Sequence, residues 1–237
     1  MAGTPVESDA QSKPKKKPAS ARTPTPKPQA SEEPKATPEP GEKTTRTGTY
    51  APNATIATGD IREFSAQPAG VKKIIESSLA LAARNLTYKY GSAEPEQGGL
   101  DCSGFVYHVL REHGFAQVPR DSRGLYSWVR KAREFRAVVS RKEDTFELEE
   151  LLPGDLLFWT GTYAMDQDPP VTHVMIYLGT EKAGGGRIMI GSSDGRSYHG
   201  EKRNGVSVFD FTLPPAAQNG ETRATFIGYA RVPGLRD

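Results

Sequence analysis

The sequence holds one cysteine, Cys102, and four histidines, His108, His113, His173 and His199. A thiol reacts as its thiolate and needs a base that takes its proton and later returns it to a leaving group. Cys102 stands at the start of a helical pattern, LDCSGFVYHVLREHG, in which Phe105, Val106, Val109 and Leu110 form one apolar stripe and Gly114 is a stop signal. Free N–H groups and the positive end of a helix favour an anion at such a position. A buried structural cysteine would sit on the stripe; this one lies between Asp101 and Ser103-Gly104. A lone cysteine forms no intramolecular disulfide and no zinc site of paired cysteines. The histidines show no paired metal spacing, so neither a metal nor another cofactor is expected.

Among the histidines, His173 is the candidate base. It opens the strand pattern THVMIYLG directly after a polar, proline-rich loop, where an edge residue can face a cleft while its neighbours enter the core. His108 lies on the cysteine's own helix, carried about 9 Å away by the helical rise. His113 is near that helix's end, and both are expected in solvent or in helix-end contacts. His199, in the polar turn RSYHGEKRN, reads as a surface residue.

The elements that must position this pair are helices first and strands after. Val71, Ile74, Ile75, Leu79 and Ala82 recur at helical spacing in VKKIIESSLALAARN, and Asp121 can cap a third helix, DSRGLYSWVRKA. Five strand patterns follow, in LLPGDLLFWT, THVMIYLG, RIMIGS, GVSVFDF and TFIGYARV, separated by glycine-rich or polar turns. That order predicts an α+β domain with an antiparallel sheet of about five strands.

Residues 1–60 are rich in Pro, Lys, Thr, Ala, Ser and Glu, with Val6, Tyr50 and Ile56 as the exceptions. Such a segment cannot bury enough apolar surface to offset its ordering entropy, so a disordered tail over 1–60 and a folded domain over 61–237 are expected, with order setting in near Gln67. The run Lys15, Lys16, Lys17 reads as solvated charge in that tail. The tail also explains a hydrophobic content of 35% and a mean hydropathy of −0.60. The net charge is +2, and no basic stripe is interleaved with aromatics, so nucleic acid is not an expected partner. No stretch is long and apolar enough to span a membrane, and the N-terminus lacks the apolar core of a secretory signal peptide.

GLDCSGFVYHVL resembles the signature of the NlpC-type, papain-like cysteine peptidases of bacterial cell walls. YKYG upstream and PRDS, LLPGDLLFW, THVMIYLG and GYARV downstream follow in the same order, over residues 85–232. The resemblance implies a papain-like fold in which N-terminal helices pack on a C-terminal sheet. It implies an endopeptidase that hydrolyses peptidoglycan stem peptides, commonly at a D-γ-glutamyl–diamino acid bond. Cys102 then matches the nucleophile and His173 the base. Tyr88 matches a tyrosine serving the oxyanion or substrate, Asp101 and Ser103 line the pocket, and Arg120 and Ser122 support the cleft. The family's third polar residue, which orients the base, falls here at Gly191; Ser192, Ser193, Asp194, a backbone carbonyl or a water are the substitutes at hand. This departure leaves open a degenerate wall-peptide-binding module, and the superfamily also includes amidases and acyltransferases. The expected partner is the stem peptide, the expected state a monomer. The implied location is extracytoplasmic (secreted, periplasmic or cell wall), which requires a signal peptide removed beforehand, because none is visible.

Overall fold

The computed structural model describes residues 50–214 and 224–236. The expected tail therefore lies, for residues 1–49, outside the described residues, as does the Lys15–Lys17 run. Residues 50–66 are already packed, upstream of Gln67. Ala51 bridges Arg203, the Val208 N–H donates to the Ala54 carbonyl at 2.9 Å, and Ile61 is buried. The attachment is mostly to backbone groups of a sheet edge, which need partners whatever the side chains are. Hydrophobic periodicity therefore gives no sign of it.

Among the described residues, three α-helices precede the main sheet. Helix α1, Ala69–Ala82, buries Val71, Ile74, Ile75, Leu79 and Ala82, the residues whose spacing predicts it. Helix α2, Cys102–Glu112, is capped by Asp101, whose carboxylate accepts the Gly104 N–H at 2.6 Å. Helix α3, Ser122–Lys131, is capped by Asp121 through the Gly124 N–H at 2.9 Å. Between α1 and α2, β1 (Thr87–Tyr88) and β2 (Gly99–Leu100) form a small parallel pair in a stretch that reads as loop.

Among the described residues, the main sheet has six antiparallel strands in the order β3-β8-β4-β5-β6-β7, so the α+β class holds and the count rises from five to six. The additional strand, β3 (Phe135–Ala137), is too short to show alternation and exists through its pairing with β8 (Thr225–Ala230). Strands β4 (Leu156–Thr160) and β5 (Val171–Thr180) are central. Both sheet faces are buried. Leu156, Phe158, Val174, Ile176, Ile190 and Val208 pack toward the helices. Leu157, Trp159, Met175, Tyr177, Met189 and Phe209 form a second cluster with Phe211, Phe226 and Tyr229. Two covered faces explain why LLFW and VMIYL are continuous apolar runs and not alternating ones.

β6 (Arg187–Tyr198) and β7 (Glu201–Asp210) make a hairpin much longer than RIMIGS and GVSVFDF predict. Its turn is His199-Gly200, both at positive φ (51° and 79°), the geometry of a tight two-residue hairpin loop. The added length is polar because it runs past the apolar clusters, so it reads as turn in the sequence. Among the described residues, no helix is long and apolar enough to cross a membrane.

The LLPGD turn is fixed by charge. Asp155 is buried, and its carboxylate accepts the Leu152 N–H at 2.9 Å and pairs with Arg231 just beyond β8. Removing one partner of a buried pair leaves the other unsatisfied. Asp155→Ala is expected to cost about 3 kcal/mol of stability, measured as a lowered denaturation midpoint at unchanged slope in urea.

Candidate active site

Cys102 is the first residue of α2 and is buried. Its neighbourhood is built around the Asp101 carboxylate. Besides capping α2, Asp101 accepts the Ser103 hydroxyl at 3.2 Å and two N–H bonds from Arg120, at 3.1 and 2.8 Å. Arg120 also donates to the Ser103 hydroxyl at 3.1 Å. Gly104 completes the DCSG stretch for a steric reason: a Cβ there would run into the Ser92 carbonyl, which accepts the Asp101 N–H at 3.0 Å. Ser122 stands further off; its hydroxyl donates to the Val171 carbonyl at 3.0 Å and ties α3 to the first residue of β5.

The cysteine meets the sheet at that same end of β5. The backbone N–H groups of Val174 and Ser103 donate toward the Cys102 sulfur. His173, the residue before Val174, is also buried, with its ring edge-on to Trp159 of β4 at 5.7 Å between centroids. Tyr88 of β1 is within electrostatic reach of Cys102 and Asp101, and its backbone N–H donates to Asn204 at 3.4 Å. The structure thus brings Cys102, Tyr88, Asp101, Ser103 and Arg120 together, with His173 next in sequence to the Val174 that meets the sulfur.

The other histidines lie elsewhere. His108 pairs with Glu112 at 3.3 Å along α2, and His113 meets the Ser77 hydroxyl at 2.8 Å. His199 stacks on Tyr198 and meets Glu181 at 2.8 Å. Two hollows of about 360 and 500 Å³ also lie away from Cys102, one beside Lys73 and His113 and the other beside Arg130 and Arg133. Among the described residues, no group of three or more His, Cys, Asp or Glu is placed to hold a metal.

His173 Nε2 is buried without a hydrogen-bond partner among the described residues. Ser192 is committed elsewhere, donating to the Leu100 carbonyl at 2.5 Å; Ser193 is buried and Asp194 exposed, and neither bonds to the ring. The reason nothing projects from position 191 is packing. A Cβ on Gly191 would lie 2.9 Å from Met175 Cγ, so Met175 fills the space an orienting side chain would need. Sequence reasoning missed Met175 in this role, and also Trp159 and Arg196, which flank His173. Met175 and Trp159 read as ordinary core residues in apolar runs, and Arg196 stands in a stretch that reads as polar turn.

Electrostatically the pair rests neutral. Burial pushes the Cys102 thiol up to about 12, and Asp101 adds to the rise. The Val174 and Ser103 N–H groups and Arg120 oppose it. Burial, with the Arg196 charge, holds His173 well below the usual histidine range. The expectation that a helix start lowers the thiol is met only in part: the N–H groups act in that direction, and desolvation outweighs them.

The α+β domain seats a helix-start cysteine on the head of an antiparallel strand, against the backbone N–H of the residue that follows His173, which is the arrangement the sequence resemblance implies. The sequence matches the model of the NlpC/P60 family over residues 85–207, and the chain belongs to that family. Membership places it among proteins of cell-wall peptidase type. Among solved structures, it is similar to a Staphylococcus aureus subsp. aureus Mu50 protein described as similar to lipoprotein, NLP/P60 family. The two are 23% identical with a TM-score of 0.44, and the match covers 69% of this chain and 41% of that one. No curated protein sequence matches.

Two outcomes follow from this geometry. Because a raised thiol pKa means little thiolate near neutrality, Cys102 alkylation by iodoacetamide should accelerate from about pH 7 to about pH 10. A rate already at its plateau near about pH 6 would instead reveal a preformed thiolate–imidazolium pair. Gly191→Ala should cost about 1–3 kcal/mol by overpacking against Met175, with a smaller cost in a Met175→Ala background; denaturant titrations of the four proteins of that cycle measure it.

Proposed function

We propose that this chain is a cysteine endopeptidase that hydrolyses peptidoglycan stem peptides, at a D-γ-glutamyl–diamino acid bond, with Cys102 as nucleophile and His173 as base. The observation that carries the reading is the seating of Cys102, first residue of α2, against the β5 N–H of Val174, immediately beside His173.

His173 Nε2 is enclosed beside Trp159, so Nδ1 is the nitrogen that serves the thiol in this reading. Nδ1 takes the Cys102 proton as sulfur attacks the scissile carbonyl. The oxyanion is met by the Cys102 N–H at the helix start and by the Tyr88 hydroxyl, whose pKa burial raises, so it stays a donor. The imidazolium protonates the departing amine and leaves a thioester. Water attacks the thioester, His173 takes its proton, and that proton returns to sulfur as the thioester C–S bond breaks. Asp101, Ser103 and Arg120 shape the wall beside the sulfur, and Ser122 fixes the head of β5. The protein acts as a monomer, and its place of action is outside the cytoplasm.

A second reading, a wall-peptide-binding module without turnover, is favoured by one observation, the unpartnered Nε2 of His173. Incubating the protein with purified peptidoglycan and weighing the products by mass spectrometry separates the two. Hydrolysis releases fragments split at γ-glutamyl bonds, and Cys102→Ala lowers their rate on the order of 10³-fold or more. Intact stem peptides, bound equally by both proteins, would establish the binding module, and products cut at another amide or ester would point to the amidase and acyltransferase branch.

A further inference from the structure

Arg196 lies outside the motifs that carry the family resemblance in the sequence, yet the fold aims it at the candidate site. The β6–β7 ladder pairs Asp194 with Asn204 and then Ser197 with Lys202, so Gly195 and Arg196 together face the single residue Arg203. This is a β-bulge, with Gly195 at φ +112°, and a bulge redirects the side chain it carries. Here the guanidinium is laid over the ring of Trp159, Cζ 4.4 Å from its centroid, while the same indole meets the His173 ring at 5.7 Å.

Arg120, Arg136, Arg187, Arg203 and Arg231 each pair with a carboxylate. Arg196 is partly buried and, among the described residues, has no carboxylate partner. Burial pulls its pKa down to about 10, while Cys102, when ionised, would favour the charge. Taking a cation from water without an anion is unfavourable, and a ring face compensates it only in part. The arrangement becomes favourable when an anion enters the cleft, because a guanidinium fork takes a carboxylate through two parallel N–H bonds.

We propose that Arg196 is a substrate anchor whose guanidinium, held by the bulge over Trp159 beside His173, binds a free carboxylate carried close to the scissile amide. This rests on the stem-peptide reading and names the feature by which the site would select its substrate. A glutamyl residue joined through its γ-carboxyl keeps its α-carboxylate free within a few bonds of the scissile carbonyl, whereas an ordinary α-linked peptide presents none there. Binding also has a consequence for the base. The uncompensated Arg196 charge disfavours the imidazolium at His173. A bound carboxylate neutralises that charge and so lifts the part of the His173 depression that Arg196 adds to burial.

The test uses the full chain carrying Cys102→Ala and two peptides, L-alanyl-γ-D-glutamyl-diamino acid and its twin with the α-carboxylate converted to a carboxamide. Calorimetry should give about 10- to 100-fold tighter binding of the carboxylate peptide. Arg196→Gln in the same background should erase that preference, and Arg196→Lys should restore part of it. In the Cys102 protein, Arg196→Gln should raise KM for the carboxylate peptide more than it lowers kcat. Equal binding of the twins, no binding of either, or an Arg196→Gln loss shared equally by both peptides overturns the anchor; the shared loss would mean that Arg196 only braces Trp159. A carboxylate preference without turnover sinks the hydrolase reading and leaves the anchor standing. Turnover without the preference does the reverse.

Discussion

A buried carboxylate must be satisfied on every side, and Asp101 meets that demand with three groups drawn from two parts of the chain. The Gly104 N–H caps α2, the Ser103 hydroxyl bonds within the same turn, and Arg120 reaches in from the segment before α3. Those bonds fix where α2 begins, which way its first residue points, and how close the following segment lies. Cys102 is held between the cap and the head of β5, so its position is set by the satisfaction of Asp101 more than by any contact of its own sulfur. The glycine of DCSG belongs to the same constraint, since the Ser92 carbonyl occupies the place of its missing side chain.

The second constraint is dryness. The sheet is covered on both faces, and β5 enters it at Val171, so His173 begins its strand already surrounded. Desolvation therefore sets the resting state of both members of the pair, raising the thiol and lowering the imidazole. In the hydrolase proposed above, a neutral pair in a dry junction would leave charge to develop during reaction, where aligned N–H groups act more strongly than they would in water. The exchange of a side chain at 191 for the bulk of Met175 fits that regime. Among the described residues, the His173 ring is held by packing against Trp159, and not by a polar partner at Nε2.

What could be read without the fold was local. The stripe Phe105, Val106, Val109, Leu110, the capping aspartates, the apolar runs and the LLPGD turn are short-range patterns. Each produced the element expected of it, with ends within a residue or two at α2 and α3 and within three at α1. β3 escaped notice because three residues carry no period, and residues 50–66 escaped because their attachment is to backbone groups. The outer half of the β6–β7 hairpin escaped because polar strand residues look like a turn. In each case the stabilising partner lies far along the chain.

The sequence by itself therefore determined the class of the fold and the two residues on which a chemical reading rests, since a helix-start cysteine and a strand-opening histidine are written in residue type and spacing. Only the tertiary structure decided their surroundings. It set how far desolvation moves each group, showed that Met175 fills the place beside Gly191, and swung Arg196 through a bulge to lie over Trp159. Those outcomes depend on distances between residues separated by tens of positions, and on exclusion of water from between them. Neither quantity is carried by local pattern.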